Sequence, residues 1–243
     1  MDTPFLSLII PAYNEEHRLP STLNQVATFL ERQPYSYEIV VVDNASSDQT
    51  GKIIDEYAQK YVAVKKRYES QPGKGAAIQK GMLSTSGQYR FMCDADLSMP
   101  ISELNRFLPP ALEDFDLAIA SREAPGSVRY HEPAYRHLGG RFMNACIQLI
   151  LLPGMQDTQC GFKCFRGPVA EDLFGHLTLK GWSFDIEILT IAKMRGYTIK
   201  EIAIPWYFDS ESKVNAFQDA LRMLKDLWTI RRNKRQGVYG QKN

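Results

Sequence analysis

Four short apolar runs, each breaking off at a polar residue or proline, constrain this chain more than any other feature. Phe5 to Ile10 stops at Pro11, Tyr37 to Val42 at Asp43, Tyr89 to Cys93 at Asp94, and Leu117 to Ala120 at Ser121. Runs this short and this largely apolar predict strands buried on both faces. Between them lie segments with helical spacing. Pro20-Ser21 opens one through Leu23, Val26, Ala27 and Leu30; a second carries Ile53, Ile54, Tyr57 and Ala58; a third runs from Ala76 to Leu83. Val62 to Arg67 reads as a weaker strand. The alternation predicts an α/β fold, a mainly parallel sheet flanked by helices. Ligands of such sheets bind at the carboxyl ends of the strands, where Pro11-Ala12-Tyr13, Asp43 and Asp94 fall.

Beyond these runs the spacing predicts a helix over Ile101 to Leu112 and another over Leu138 to Leu152. Pro125 to Pro133 reads as an irregular, mobile loop, and Tyr197 to Ile204 as a strand ending at Pro205-Trp206. Ala216 to Arg232 is an amphipathic helix with Phe217, Ala220, Leu221, Leu224, Leu227 and Trp228 at spacings of three and four. The expected organisation is one α/β domain over 1–214 and a basic helix and tail over 215–243. From Ala216 onward seven basic residues face two acids, although the whole chain carries only +1. That balance suits an anionic surface, allows a membrane-protein partner, and gives no reason to expect a nucleic acid. The four cysteines include no Cys-x-x-Cys pair, which suits reduced thiols in a cytoplasmic protein. The sequence reads without a secretory signal, and its apolar stretch Ala145 to Leu152 is far shorter than the ~20 residues of a membrane span. Peripheral attachment to the cytoplasmic membrane face is therefore the expected location.

Asp94-Ala95-Asp96 carries the chemistry. Two carboxylates around one small residue repel unless a positive charge lies near them. Magnesium or manganese, held by one or two carboxylates and the oxygens of a diphosphate, fits such a pair; a solvated turn would carry the same three residues. Lys74 stands between two glycines at a helix start, where backbone amides and an ammonium suit a phosphate. Neither a Gly-x-Gly-x-x-Gly fingerprint nor a Walker loop is present, since Ile78 and Gly75 occupy the deciding positions.

These segments come in a telling order. Pro11-Ala12-Tyr13-Asn14-Glu15-Glu16, Val41 to Thr50, Gly73-Lys74-Gly75-Ala76 and Asp94-Ala95-Asp96 closely resemble the nucleotide-binding half of family-2 glycosyltransferases. Ser121-Arg122, Asp157 to Lys163, Trp182 to Glu187 and Ser212-Lys213-Val214 resemble the polyprenyl-phosphate subgroup, which includes dolichyl-phosphate glucosyl- and mannosyltransferases. The resemblance implies a GT-A, Rossmann-like fold and inverting transfer of a hexose from a nucleotide sugar to a polyprenyl phosphate. It places Pro11, Ala12, Tyr13, Glu15 and Asp43 at the base and ribose. Lys74, Asp94, Ala95 and Arg122 fall on the donor, Asp96 with Asp94 on the metal, and Arg136 and Lys213 on phosphate. Asp157 becomes an acceptor-side positioning residue or base, and Asp96 and Asp157 are together the catalytic candidates. Some mannosyl enzymes carry Gln at the place of Ser98, a weaker metal ligand, which leaves the third ligand position open to water. They carry Arg at the place of Tyr207; that departure, with the likeness of Asp157 to Lys163 to glucosyl enzymes, favours UDP-glucose. The alternatives are a GDP-mannose-dependent mannosyltransferase, a family-2 enzyme acting on a saccharide or protein hydroxyl, and a non-catalytic nucleotide-sugar-binding module.

Overall fold

A computed structural model describes residues 3–209 and 216–240. Its centre is a seven-stranded sheet of β1 (Leu6–Ala12), β2 (Tyr37–Asp43), β3 (Val64–Tyr68), β4 (Tyr89–Met92), β5 (Leu117–Ser121), β7 (Lys163–Arg166) and β8 (Ile199–Ala203). The spatial order is β3-β2-β1-β4-β7-β5-β8. All neighbours run parallel except β7, which is antiparallel to both β4 and β5. The first three apolar runs form the middle of the sheet, with Ala12 opposite Asp43 and Ile9 opposite both Val40 and Met92.

Alternation along these strands divides the core. Leu8, Ile10, Ile39 and Val41 pack on one face with α1 (Leu19–Leu30). Ile9, Val40 and Val42 pack on the other with α3 (Lys74–Leu83), α5 (Gly167–Gly175) and α6 (Phe184–Met194). Residues two apart share a face of a strand, so a continuously apolar strand serves both layers. The remaining helices are α2 (Thr50–Lys60), α4 (Ala134–Ile150) and α7 (Ala216–Arg235). The α7 face is described from Leu221 onward; Lys213 lies outside the described residues.

Three expectations need correction. Ile101 to Leu112 is a 3₁₀ helix over Ile101–Phe107, and the pair Pro109-Pro110 prevents its continuation. Pro125 to Pro133 is structured. It contains β6 (Val128–Tyr130), which pairs in parallel with β9 (Pro205–Tyr207), while Arg129 bridges Glu123 and Glu132 at 2.5 and 2.6 Å. Helix α4 begins at Ala134, before the expected Leu138.

Candidate active site

Because β7 runs against its neighbours, its first residue lies at the sheet edge where β4 and β5 end. Lys163 stands opposite Met92 and Ile119. The segment before β7 is thereby brought to Asp94 and Arg122, although their sequence separation is large. Gly161 abuts Asp94 so closely that a Cβ there would strike its carboxylate.

At the end of β4, Asp94 forms an ion pair with Lys74 at 2.5 Å. Lys74 opens α3, and its ammonium lies 5.3 Å from the Trp182 ring centre. Burial alone would depress the lysine, but Asp94, Asp185 and Asp96 outweigh it and leave its pKa raised. The flanking glycines are dictated by the segment 178–183. A Cβ at Gly73 would collide with the Lys180 carbonyl, and one at Gly75 would meet Phe184, Leu179 and Gly181 at 2.7–3.0 Å. The Lys180 carbonyl also accepts the Ala76 amide at 3.1 Å.

Asp96 accepts the Ser98 amide at 2.9 Å, and Leu97 between them has φ +47°. Burial, reinforced by Asp94, pushes the Asp96 carboxyl upward. A cation would reverse that cost, since it favours the charged form. The hydroxyl of Thr22 ties Ala95 to α1 at 2.5 Å. Tyr207 donates its amide to the Ser98 carbonyl at 2.8 Å, so the two positions that depart from the mannosyl pattern touch each other. Among the described residues no group of three metal-ligating side chains assembles. Asp94 and Asp96 still suit a hard cation, which takes its remaining ligands from phosphate oxygens and water.

The side of the site expected to take the nucleotide is built on β1 and β2. Asp43 is buried; one oxygen accepts the Ser46 amide at 3.0 Å, and Ala45 has φ +56°. Asp43 therefore shapes a turn as well as the rim of the site. Asn44, not singled out in the sequence, receives the Gly73 amide at 2.9 Å and donates to the carbonyls of Glu69 and Gln71. It binds the end of β2 to the start of α3. Ala12 is buried, Pro11 is half-buried and Tyr13 is exposed. Glu15 donates its amide to the Thr50 hydroxyl at 2.7 Å, joining the β1 and β2 loops.

Arg122 and Asp157 engage each other. Two guanidinium bonds of 2.6 and 2.9 Å and the Arg122 amide at 2.9 Å all end on the one carboxylate. Burial alone would raise the carboxyl, but Arg122 prevails and holds it at about 2. Such a group is a poor proton acceptor at neutral pH, and its two-pronged contact fixes the direction of Arg122. Glu201 supports it from behind by accepting the amides of Gln156 and Asp157.

The guanidinium groups of Arg122 and Arg129 each lie 5.5 Å from the Trp206 ring, and that of Arg136 lies 5.1 Å from the Phe208 ring. Trp206 and Phe208 also touch, so the three arginines share one aromatic wall. Arg129 and Trp206 were legible only as a loop basic residue and a strand terminus. Behind the sheet edge, Lys163 is fully buried against Asp185 and donates to the Cys160 carbonyl at 2.6 Å.

Comparison with known proteins identifies the family and the fold. The sequence model of glycosyl transferase family 2 matches residues 7–174. A dolichyl-phosphate beta-glucosyltransferase of Dictyostelium discoideum is 32% identical, covering 98% of this chain and 77% of the relative. Its Homo sapiens counterpart is 34% identical over 94% of this chain and 75% of the relative. Among solved structures, the mannosyl-3-phosphoglycerate synthase of Rubrobacter xylanophilus superposes with TM-score 0.70 at 18% identity, covering 99% of this chain and 77% of that one. A Mycobacterium tuberculosis glucosyl-3-phosphoglycerate synthase, in complex with Mn²⁺, UDP-glucose and phosphoglyceric acid, gives 0.68 at 16% identity, covering 94% and 80%. At such identities the superpositions establish the shared fold. The family match and the curated relatives go further: this chain belongs to glycosyl transferase family 2.

Proposed function

We propose that this protein transfers glucose from UDP-glucose to a polyprenyl phosphate of the dolichyl type, with inversion at the anomeric carbon. The observation that carries the proposal is the convergence of Lys74, Asp94 and Asp96 at one carboxyl edge, where a diphosphate and its cation would sit. The acceptor and the sugar are supported by the names of the relatives, and a divalent metal by the Mn²⁺ complex of a protein with the same fold.

In the reaction, an oxygen of the lipid phosphate attacks the anomeric carbon. The bond to the diphosphate breaks, and its electron pair leaves on the UDP oxygen. Phosphate monoesters have a second pKa near ~6, so the nucleophile is largely dianionic at neutral pH and needs no strong base. That agrees with an Asp157 carboxyl held at about 2 by Arg122. Lys74, at a helix start, stabilises the departing diphosphate. Arg122, held by Asp157 and Trp206, is the residue assigned to the acceptor or donor phosphate, with Arg136 over Phe208 as its companion. Magnesium or manganese, held by Asp96 and Asp94, supplies further charge neutralisation when bound. Peripheral placement at a cytoplasmic membrane face suits a lipid acceptor and the free, mostly buried cysteines. Among the described residues no helix is long and apolar enough to cross a membrane.

The test is a turnover assay pairing UDP-glucose or GDP-mannose with a short-chain polyprenyl phosphate, in Mn²⁺ and in EDTA. UDP-glucose with Mn²⁺ should give lipid-linked glucose, and Asp96→Ala should lose at least about 10²-fold while keeping its melting transition. Transfer only to a soluble saccharide, preference for GDP-mannose, or normal turnover in Asp96→Ala would each overturn the corresponding part.

A further inference from the structure

Helix α4 has three faces. Ile147 is buried in the core, with Met143 and Ile150 packed beside it. His137, Gly140 and Asn144 line a cleft whose other wall includes Arg122 and Asp157. Two polar atoms of that cleft, the Asn144 carboxamide oxygen and the Thr158 hydroxyl, are buried without a hydrogen-bond partner among the described residues. On the third face Tyr135, Leu138, Phe142 and Leu149 are 74%, 72%, 70% and 89% exposed. Exposed Ala145 fills the one gap, so the spacing is three, four, three, four. Residues so spaced form one stripe along a helix, here about 21 Å long. Single exposed apolar residues are ordinary, but a contiguous apolar stripe of this size marks a surface that meets something.

The charge around the stripe says what that is. Helix α4 exposes Arg141 beside the stripe and carries no acid. Its neighbour α7 exposes Leu221, Leu224 and Trp228 at spacings of three and four. From Leu221 to Arg235 it carries six basic residues and the single acid Asp226. Apolar side chains flanked by arginine and lysine, with an aromatic residue among them, match the interface of an anionic bilayer. A second copy of this chain would bring the same acid-poor basic face against itself, and like charges would oppose the contact.

We propose that α4, flanked by α7, is the surface with which this protein lies on an anionic lipid bilayer. The stripe sinks among the headgroups, and a second face of the same helix walls the cleft that receives the acceptor phosphate. One helix diameter then separates the lipid surface from Arg122. The phosphate of a membrane-resident acceptor reaches the site while its hydrocarbon stays in the bilayer, which avoids the cost of drawing each methylene into water. The inference rests on the reading of the acceptor as a lipid phosphate.

The test compares the full chain with a Leu138→Glu/Phe142→Glu variant. Both would be sedimented with phosphatidylcholine vesicles, with and without phosphatidylserine, and assayed on a dispersed short-chain polyprenyl phosphate and on a long-chain one held in vesicles. Wild type should bind anionic vesicles more tightly than neutral ones. The variant should lose at least about tenfold in anionic-vesicle binding and in vesicle transfer, yet keep short-chain turnover and its melting temperature. Unchanged vesicle binding in the variant overturns the proposal. So does equal loss on both acceptors, which would assign α4 to the reaction or the fold, and so does a wild-type dimer that the variant dissociates. Normal vesicle docking with no transfer to either lipid would instead sink the acceptor reading and leave the docking surface standing.

Discussion

At Gly161 the missing side chain is a requirement imposed by Asp94, whose carboxylate fills the space a Cβ would need. Gly161→Ala should therefore push Asp94 off Lys74 rather than disturb the core. We expect a stability change within about 1–3 kcal/mol but a loss of activity of about 10²-fold, because small displacements at a reacting centre are costly. Parallel melting and turnover measurements check this; full activity would refute the close approach. The Arg122–Asp157 pair makes a different prediction. The folded-state pKa of Asp157 is about 2, below its ordinary value, so its contribution to stability is present above pH ~4 and is lost as pH falls through ~2. Asp157→Asn removes that contribution and leaves a largely buried guanidinium without its charge partner, so it should destabilise by about 2–4 kcal/mol at pH 6. Denaturant titrations across pH 2–6 should show the gap between wild type and variant narrowing toward acid. A gap independent of pH would mean that Asp157 is not held ionised by Arg122.

The segment 178–183, between α5 and α6, seats Lys74, and it is itself held by a buried carboxylate. Glu187 of α6 accepts the Thr178 hydroxyl at 2.5 Å, the amides of Thr178 and Leu179 at 3.2 and 2.7 Å, and the Tyr239 hydroxyl at 2.7 Å. Asn233 of α7 donates to the same Thr178 hydroxyl at 3.3 Å. Tyr239→Phe removes one of the four donors from a fully buried carboxylate and should cost about 1–2 kcal/mol. If the network seats Lys74, KM for the donor should rise in that variant more than kcat falls; a fall in kcat alone would place the network outside donor binding. None of this coupling was legible in the sequence, where Tyr239 reads as a tail residue and Glu187 as one acid of a motif. The strands β1, β2 and β4 were legible because their runs are largely apolar, each broken only near its start by Ser7, Glu38 or Arg90, and lead into candidate site residues. Strand β7 was not, because a four-residue strand beginning with Lys163 looks polar until Asp185 neutralises it in the core. Helix α6 was hidden for the opposite reason: Phe184 to Ala192 are buried without a break, so no polar face marks a helical period. The Asp94, Asp96 and Lys74 cluster was anticipated by motif, whereas the Arg122–Asp157 pairing needs the reversed direction of β7 and could not be read from spacing.

Viewed as a whole molecule, the chain separates its chemistry from its cohesion. The carboxyl edge of the sheet carries the charged groups, while the C-terminal helix closes the core on the far side of α6. Leu227, Ile230 and Tyr239 are buried within that core, and the Tyr239 carbonyl accepts a 2.6 Å bond from Arg195. Helix α7 is thus structural on one face and exposed on the other, with Trp228 and its basic residues outward. Each fully buried Leu or Ile contributes roughly 1.5–3 kcal/mol, and a buried tyrosine covers a comparable or larger area. Their sum approaches the net stability of a whole domain, about 5–15 kcal/mol. A chain cut before Ala216 should therefore lose its cooperative thermal transition, and with it donor turnover, rather than become a soluble enzyme that merely ignores vesicles. Circular dichroism during heating decides the matter. A truncated protein that melts cooperatively within about 5 °C of the full chain would show that α7 is an appendage after all. Substitutions confined to the outward faces of α4 and α7 are, by the same reasoning, the ones able to separate lipid binding from folding.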